Sequence, residues 1–265
     1  MDYEDIIYKE ENGIATMTLN RPDRMNSFSP AMSDSMYRVV ESVAVNDEVR
    51  VLVITGAGRA FCAGADVKAM AEGFNRPTAR QERPKEASSG RISLHVLMQK
   101  CEKPIIAALN GDAVGGGLDL AMACDIRIAS EKARFAELYI RRGIVPAAGG
   151  TYFLPRLVGI DKACQLIWTG DMIDAKEAER IGLVTMVVPH DELESATLEL
   201  AEKLAKGPAR AIQTSKRAIY DGLDMDLETT LKHVSSLTRE IHQSEDHKEG
   251  ARAFVEKREP VFRGE

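Results

Sequence analysis

Apolar residues fall into short blocks separated by glycine, proline and asparagine, and the spacing inside each block predicts its conformation. Ile6–Lys9 and Ile14–Leu19 are β-prone runs joined by the turn tripeptide Glu11-Asn12-Gly13, which reads as a hairpin. RPDRMNSFSP closes the second strand. Ser29 followed by Pro30 is an N-cap with a first-turn proline, and Met32, Met36, Val39, Val40 and Val43 then share one helical face. The first unit reads strand, strand, helix.

A second pattern occurs twice. Arg50–Thr55 (RVLVIT) is a buried-strand type of run ended by Gly56, and AGADVKAM resumes helical spacing after a loop. Pro104–Leu109 (PIIAAL) is ended by Asn110-Gly111 and followed by AVGGGLDLAM. Each helix entry carries small residues, Ala63-Gly64-Ala65 in one and Gly115-Gly116-Gly117 in the other, so the two halves read as an internal repeat. Short strands follow at Ile126–Ala129 and Ala133–Phe135, then a polar-faced helix near Leu138–Arg142, the turn GIVPAAGGT and a strand at Val184–Val188. After Pro189 the pattern is helical only, over Glu192–Lys206, Ala209–Tyr220, Asp226–Ser244 and His247–Lys257. Glu72–Arg91 is polar and reads as a mobile surface loop. This divides the chain into an α/β core over 1–200 and a helical region over 201–265.

Composition narrows the function classes. The 265 residues are 44% hydrophobic, 29% charged and 5% aromatic, which suits a globular protein and excludes disorder. A net charge of −6 repels polyanions, so no nucleic-acid partner is expected. Cys62, Cys101, Cys124 and Cys164 are widely spaced, with no CxxC pair and no histidine spacing suited to a metal, and a reducing compartment fits them. The acidic start and the lack of any long apolar run argue against secretion and against a membrane partner, and point to the cytoplasm.

A glycine triplet at a helix start lets another molecule approach N–H groups that have no intrahelical partner, and the helix dipole adds partial positive charge there. Two such sites from two repeats could converge on one oxygen, the geometry that stabilises an enolate or a tetrahedral oxyanion. The same glycines could instead serve only tight helix–sheet packing. Phosphate-loop readings fail, because no GxxxxGK[ST] occurs and GGGLDL lacks GxGxxG spacing.

The strings LNRPDRMNSF, TGAGRAFCAGADVKAM, KPIIAALNGDAVGGGLDLAMACDIRIAS, ARFAELYIRRGIVPAAGGTYFLPRLVG, TGDMIDAKEAERIGLV and EGARAFVEKREPVF resemble the enoyl-CoA hydratase/isomerase, or crotonase, family. The resemblance implies a spiral of repeated ββα units and C-terminal helices that build trimers, often hexamers. It implies an acyl-CoA thioester substrate with coenzyme A as its carrier and no separate cofactor. The oxyanion N–H groups map onto Ala65 and Gly116. Adenine contacts map onto Ala63, Asp66 and Val67, and Arg24 onto a phosphate contact. Phe254 and Lys257 match positions that reach the nucleotide end, from a neighbouring subunit or from the C-terminal helix.

Two departures bear on the reaction. The family's hydratases carry one glutamate two residues after the glycine triplet and another four residues after the phenylalanine of FxxPE. This chain has Asp119 and Tyr139 there, with Glu137 out of register and expected to point elsewhere. Hydration needs a base for a water proton and an acid for the α-carbon. A tyrosine is only about one part in a thousand ionised at pH 7, so Tyr139 can donate or orient, and the base, if there is one, must be Asp119. Aspartate also reaches about 1.5 Å less far than glutamate, and misplacement of about 1 Å costs on the order of 100-fold. An aspartate occurs at the first position in the family's dienoyl-CoA isomerases, but their later aspartate is Ala147 here. The leading reading is an enolate-stabilising enzyme of hydratase/isomerase type. Acyl-CoA hydrolysis, decarboxylation or C–C bond cleavage stays open, as does a catalytically degenerate acyl-CoA-binding or RNA-binding homologue. Asp119 in a first helical turn is favoured by the dipole in any case, Tyr139 could be a packed core aromatic, and Lys257 a solvated helix residue.

Overall fold

The computed structural model describes residues 2–67 and 91–265. The opening hairpin forms as β1 (Ile6–Glu11) and β2 (Ile14–Leu19), antiparallel, with Ile6 opposite Leu19. Helix α1 (Pro30–Val45) starts where Ser29 Oγ accepts from Met32 N–H at 2.9 Å, and Pro30 occupies a position whose N–H has no helical partner anyway. Its buried face holds Met32, Met36, Val39, Val40 and Val43.

The chain then winds through successive strand–strand–helix units. The first has β3 (Val51–Gly56), β4 (Ala60–Cys62) and, beyond the described stretch that ends at Val67, α2 (Leu94–Lys100). The second has β5 (Ile105–Leu109), β6 (Asp112–Val114) and α3 (Gly116–Met122). The third has β7 (Ile126–Ser130), β8 (Arg134–Ala136), a single 3-10 turn at Ile140–Arg142 and α4 (Gly150–Val158). Helix α5 (Ile160–Thr169), strand β9 (Ile173–Asp174), helix α6 (Ala175–Arg180) and strand β10 (Met186–Val188) complete the core. First strands stack in a six-stranded sheet, order β1-β2-β3-β5-β7-β10, and second strands in a four-stranded sheet, order β4-β6-β8-β9. Neighbours β3, β5 and β7 pair in parallel, as do β4, β6 and β8, so each turn of the spiral adds one strand to each sheet.

The central strands of the larger sheet are buried on both faces. Leu52 and Ile54 of β3, with Ile105, Ala107 and Leu109 of β5, face the main core, while Val51, Val53, Ile106 and Ala108 face a second apolar cluster. Strands covered on both sides need apolar residues at every position, which explains the unbroken runs. Helix α7 (Leu193–Ala205) contributes Leu193 and Ala201 to that second cluster and packs on β3, β5 and β7. Residue 200 therefore lies inside a helix seated on the sheet.

Beyond it come α8 (Ala209–Gly222), α9 (Leu227–Ile241) and α10 (Glu245–Glu256). One aspartate ties α8 to the core. Asp125 Oδ2 accepts from the buried Lys216 Nζ at 2.7 Å and from Ile105 N–H at 2.7 Å, and Oδ1 accepts from Tyr220 Oη at 2.8 Å. On α9, Leu227 and Leu231 stay 74% and 61% exposed.

Several elements differ from the sequence expectation. The helix near Leu138–Arg142 is one 3-10 turn, because Gly143 at φ 68° ends it at once. Helices α4, α5 and α6 had no counterpart in the periodicity. The strand at Val184–Val188 begins only at Met186. The Glu72–Arg91 loop, Arg91 excepted, lies outside the described residues. All four cysteines are free, and among the described residues no helix is long and apolar enough to cross a membrane.

Candidate active site

The loop after β2 sets the first wall. Asn26, fully buried, donates from Nδ2 to Ala57 O and Ala60 O at 2.9 and 2.8 Å, and its Oδ1 accepts from Arg21 N–H at 2.9 Å. Ala63 N–H donates to Met25 O at 3.0 Å, and Phe28 N–H to Gly64 O at 2.8 Å, in a parallel bridge that pairs Phe28 with Ala65. Because Phe28 takes the Gly64 carbonyl, the ladder turns the Ala65 N–H to the opposite side. Ala65 itself is exposed.

The two small-residue segments meet backbone to backbone. Gly64 sits at φ +75°, and a side chain there would stand 2.7 Å from Val114 O and 2.9 Å from Gly116 N, so only glycine lets the repeats touch. Gly116 is the first residue of α3, so its N–H lies outside the helical ladder. The segment that carries Ala65 thus abuts the start of α3.

One turn into α3, Asp119 is fully buried and accepts from Tyr139 Oη at 2.5 Å on Oδ2. The same hydroxyl lies 3.5 Å from the Cβ position of Gly116, and the Phe28 ring comes within 3.0 Å of that point. Tyr139 therefore bridges the glycine triplet and the carboxyl. Glu137 is 1% exposed. At Gly150, the start of α4, any Cβ would stand 2.6 Å from Asp119 Oδ1 and 2.8 Å from Glu137 Oε1, so glycine leaves the space that the two carboxyls fill.

Burial raises Asp119 above the ordinary carboxylate range, and the Tyr139 hydrogen bond opposes the shift by favouring the ionised form. Glu137 is raised by burial first and by the Asp119 charge second. Burial, then the charge of Asp119 and the hydrogen bond to it, raises Tyr139, which keeps its proton.

The structure thus brings Ala65, Gly116, Asp119 and Tyr139 together. It also corrects the expectation for Glu137, which packs against Asp119 rather than pointing elsewhere. Glu137 follows β8 directly and Tyr139 sits in the turn that opens the 3-10 helix, with helical dihedrals of φ −57° and ψ −44°, and this turn brings both side chains to Asp119. Asn26 is a further residue of the site's frame that the sequence reading missed, because an asparagine amid turn residues carries no signal of burial.

The remaining candidates are more peripheral. Ala63, Asp66 and Val67 continue the Ala65 segment, Val67 being 40% exposed. Arg24 is exposed at the end of a 3-10 turn, whereas Arg21 reaches inward, donating to Ser27 O at 2.6 Å with Asp66 at 3.9 Å. Phe254 is 86% exposed on α10, and Lys257 caps that helix in a left-handed conformation at φ 56°. Among the described residues, neither makes a hydrogen bond or ion pair to the Asp119 cluster. Cys124 is buried, as a packing residue should be, and burial keeps His95 neutral by lowering its pKa to about 4. Among the described residues no three His, Cys, Asp or Glu side chains gather as a metal site.

A family model described as enoyl-CoA hydratase/isomerase matches residues 9–265. This chain belongs to that family. A short-chain-enoyl-CoA hydratase from Clostridium acetobutylicum is 40% identical over 261 residues, covering 97% of each chain. An (E)-benzylidenesuccinyl-CoA hydratase from Thauera aromatica is 39% identical over 254 residues, covering 96% of each. Among solved structures, an enoyl-CoA hydratase subunit from Geobacillus kaustophilus superposes with a TM-score of 0.91 at 36% identity, covering all of both chains. The crotonase spiral is the fold of this protein, and the protein is an enzyme of the hydratase/isomerase family.

Proposed function

We propose that this enzyme adds water to a 2-enoyl-CoA thioester through an enolate held between the Ala65 and Gly116 N–H groups, with Asp119 as the one proton carrier. The observation that carries the reading is the position of Asp119. Its buried carboxyl, bonded to Tyr139, sits one helical turn behind the free amide of Gly116.

The step balances with a single base. Ionised Asp119 takes a proton from water as the water oxygen bonds to the β-carbon, and the C=C pair shifts so that negative charge reaches the thioester oxygen. The two N–H groups stabilise that charge, a contribution worth on the order of 100- to 1000-fold per donor. Asp119, now neutral, returns the proton to the α-carbon, and the enolate collapses to the hydroxyacyl thioester. Tyr139 keeps its proton throughout and holds Oδ2, so it orients the carboxylate without acting as base.

In this reading Ala63, Asp66 and Val67 line the adenine end, Arg24 meets phosphate, and Phe254 and Lys257 serve the nucleotide end from a neighbouring subunit. The exposure of Arg24, Val67, Phe254 and Lys257 supports that arrangement. The exposed apolar residues of α9 support self-association as a trimer or a dimer of trimers. Four free cysteines suit the cytoplasm.

The test is a panel of enoyl-, dienoyl- and ring-containing acyl-CoA thioesters incubated in heavy water and followed by mass spectrometry. Hydration adds the mass of water with one deuterium on the α-carbon. Turnover that yields free acid, or loses carbon dioxide, with no hydroxyacyl product would refute hydration in favour of another enolate reaction.

A further inference from the structure

Two carboxyls meet behind the Tyr139 hydroxyl, and the reaction above uses one of them. Neither oxygen of Glu137 has an N–H or hydroxyl donor on it among the described residues, whereas the Gly150 N–H faces the Asp119 carboxyl. A carboxylate buried without donors is strongly disfavoured. Glu137 Oε1 and Asp119 Oδ1 crowd the same point above Gly150, within 2.8 and 2.6 Å of it, so a hydrogen bond between the two carboxyls would supply both oxygens with the partner they lack. Such a bond requires one of them to hold a proton. Tyr139 decides which: its donation to Asp119 Oδ2 favours ionised Asp119, so the proton stays on Glu137.

We propose that Glu137 is a positioning residue, kept as the neutral acid and donating to Asp119 Oδ1, so that Asp119 is gripped by Glu137 on one oxygen and by Tyr139 on the other. This rests on the reading of Asp119 as the proton carrier. A grip on both oxygens fixes rotation about the Asp119 Cβ–Cγ bond. The shorter aspartate has little reach to spare, and misplacement of about 1 Å costs on the order of 100-fold.

Burial and the Asp119 charge hold Glu137 above the ordinary carboxylate range. The titratable groups facing it are Asp119 from α3 and Tyr139 from its own turn, with Arg142 acting on Tyr139, while α4 presents only the uncharged Gly150. When Glu137 ionises at high pH, two carboxylates face each other and the grip is lost.

The experiment measures hydration and α-deuterium exchange of a short 2-enoyl-CoA by the full chain and by Glu137→Gln, Glu137→Leu and Asp119→Asn. Glu137→Gln keeps a donor on Asp119 and should hold kcat within about threefold. Glu137→Leu should lower kcat by about 10- to 100-fold with KM within about twofold. The parent should lose rate on the alkaline side, and Glu137→Gln should not. Parent-like rates in Glu137→Leu, or equal damage in Glu137→Gln and Glu137→Leu, would overturn the proposal. Should Glu137→Leu fail to fold, an alkaline limb shared by the parent and Glu137→Gln overturns it equally. Asp119→Asn separates the two readings. If that variant still exchanges deuterium, the role of Asp119 fails. If it is inactive while Glu137→Leu runs at the parent rate, only the role of Glu137 fails.

Discussion

Tyr139→Phe removes one hydroxyl and little else, since the ring carbons that pack over Gly115, within 3.9 Å of its Cβ position, are retained. The lost bond is the 2.5 Å donation to Asp119 Oδ2, and a hydrogen bond to a charged group contributes about 1.5–3 kcal/mol. Because the bond favours ionised Asp119, its loss should raise the Asp119 pKa by about 1–2 units, at about 1.4 kcal/mol per unit. Below that raised pKa, Asp119 is neutral and cannot accept a water proton. Hydration of a short 2-enoyl-CoA, followed against pH by loss of the conjugated-thioester absorbance, should show an acid limb displaced upward by that amount. The plateau rate should fall roughly tenfold to a hundredfold from weaker orientation, with acyl-CoA affinity nearly unchanged. An acid limb in the same place as the parent's would refute the claim that Tyr139 acts through Asp119.

Gly116→Pro deletes an oxyanion donor at a position where proline suits the helix, and should lower turnover by about 100- to 1000-fold, although the Phe28 ring must give way; a folded variant with parent turnover makes Gly116 a packing glycine. Asp125→Ala leaves the buried Lys216 without its carboxylate and should cost about 3–5 kcal/mol in denaturant unfolding, whereas a loss below about 1 kcal/mol contradicts the pairing. Leu227→Glu with Leu231→Glu should shift light scattering from trimer to monomer; an unchanged mass places the subunit contact elsewhere. Glu137 binds its proton more tightly folded than unfolded, so its contribution to stability is present at low pH and falls as pH rises through its raised folded pKa. Glu137→Gln should therefore melt higher than the parent by a margin that grows on the alkaline side, and a margin independent of pH refutes that protonation.

Elements with full periodicity were legible in the sequence. Ser29-Pro30 and the Met32–Val43 stripe define α1 because capping and amphipathic spacing act locally. RVLVIT and PIIAAL announce strands buried on both faces. The three-residue strands β4, β6 and β8 are too short to display alternation, although Ala133–Phe135 hinted at the last. Helix α4 escaped because Gly149 and Gly150 read as part of the turn GIVPAAGGT, and because Pro155 sits within the helix, where tertiary packing overrides its cost. At the site, the family spacing picked out Ala65, Gly116, Asp119 and Tyr139. Glu137 was passed over because register decides which residue replaces the second glutamate, and only three-dimensional placement shows that its neighbour two positions back shares the same pocket.

The central claim is that Asp119 carries the proton beside an enolate held by backbone amides. The direct measurement is α-deuterium incorporation into an acyl-CoA thioester in heavy water by Asp119→Asn, beside its binding of the same thioester. An amide has no proton-accepting charge at neutral pH, so binding should persist while exchange and hydration fall by at least about 1000-fold. Exchange at the parent rate in that variant would contradict the account.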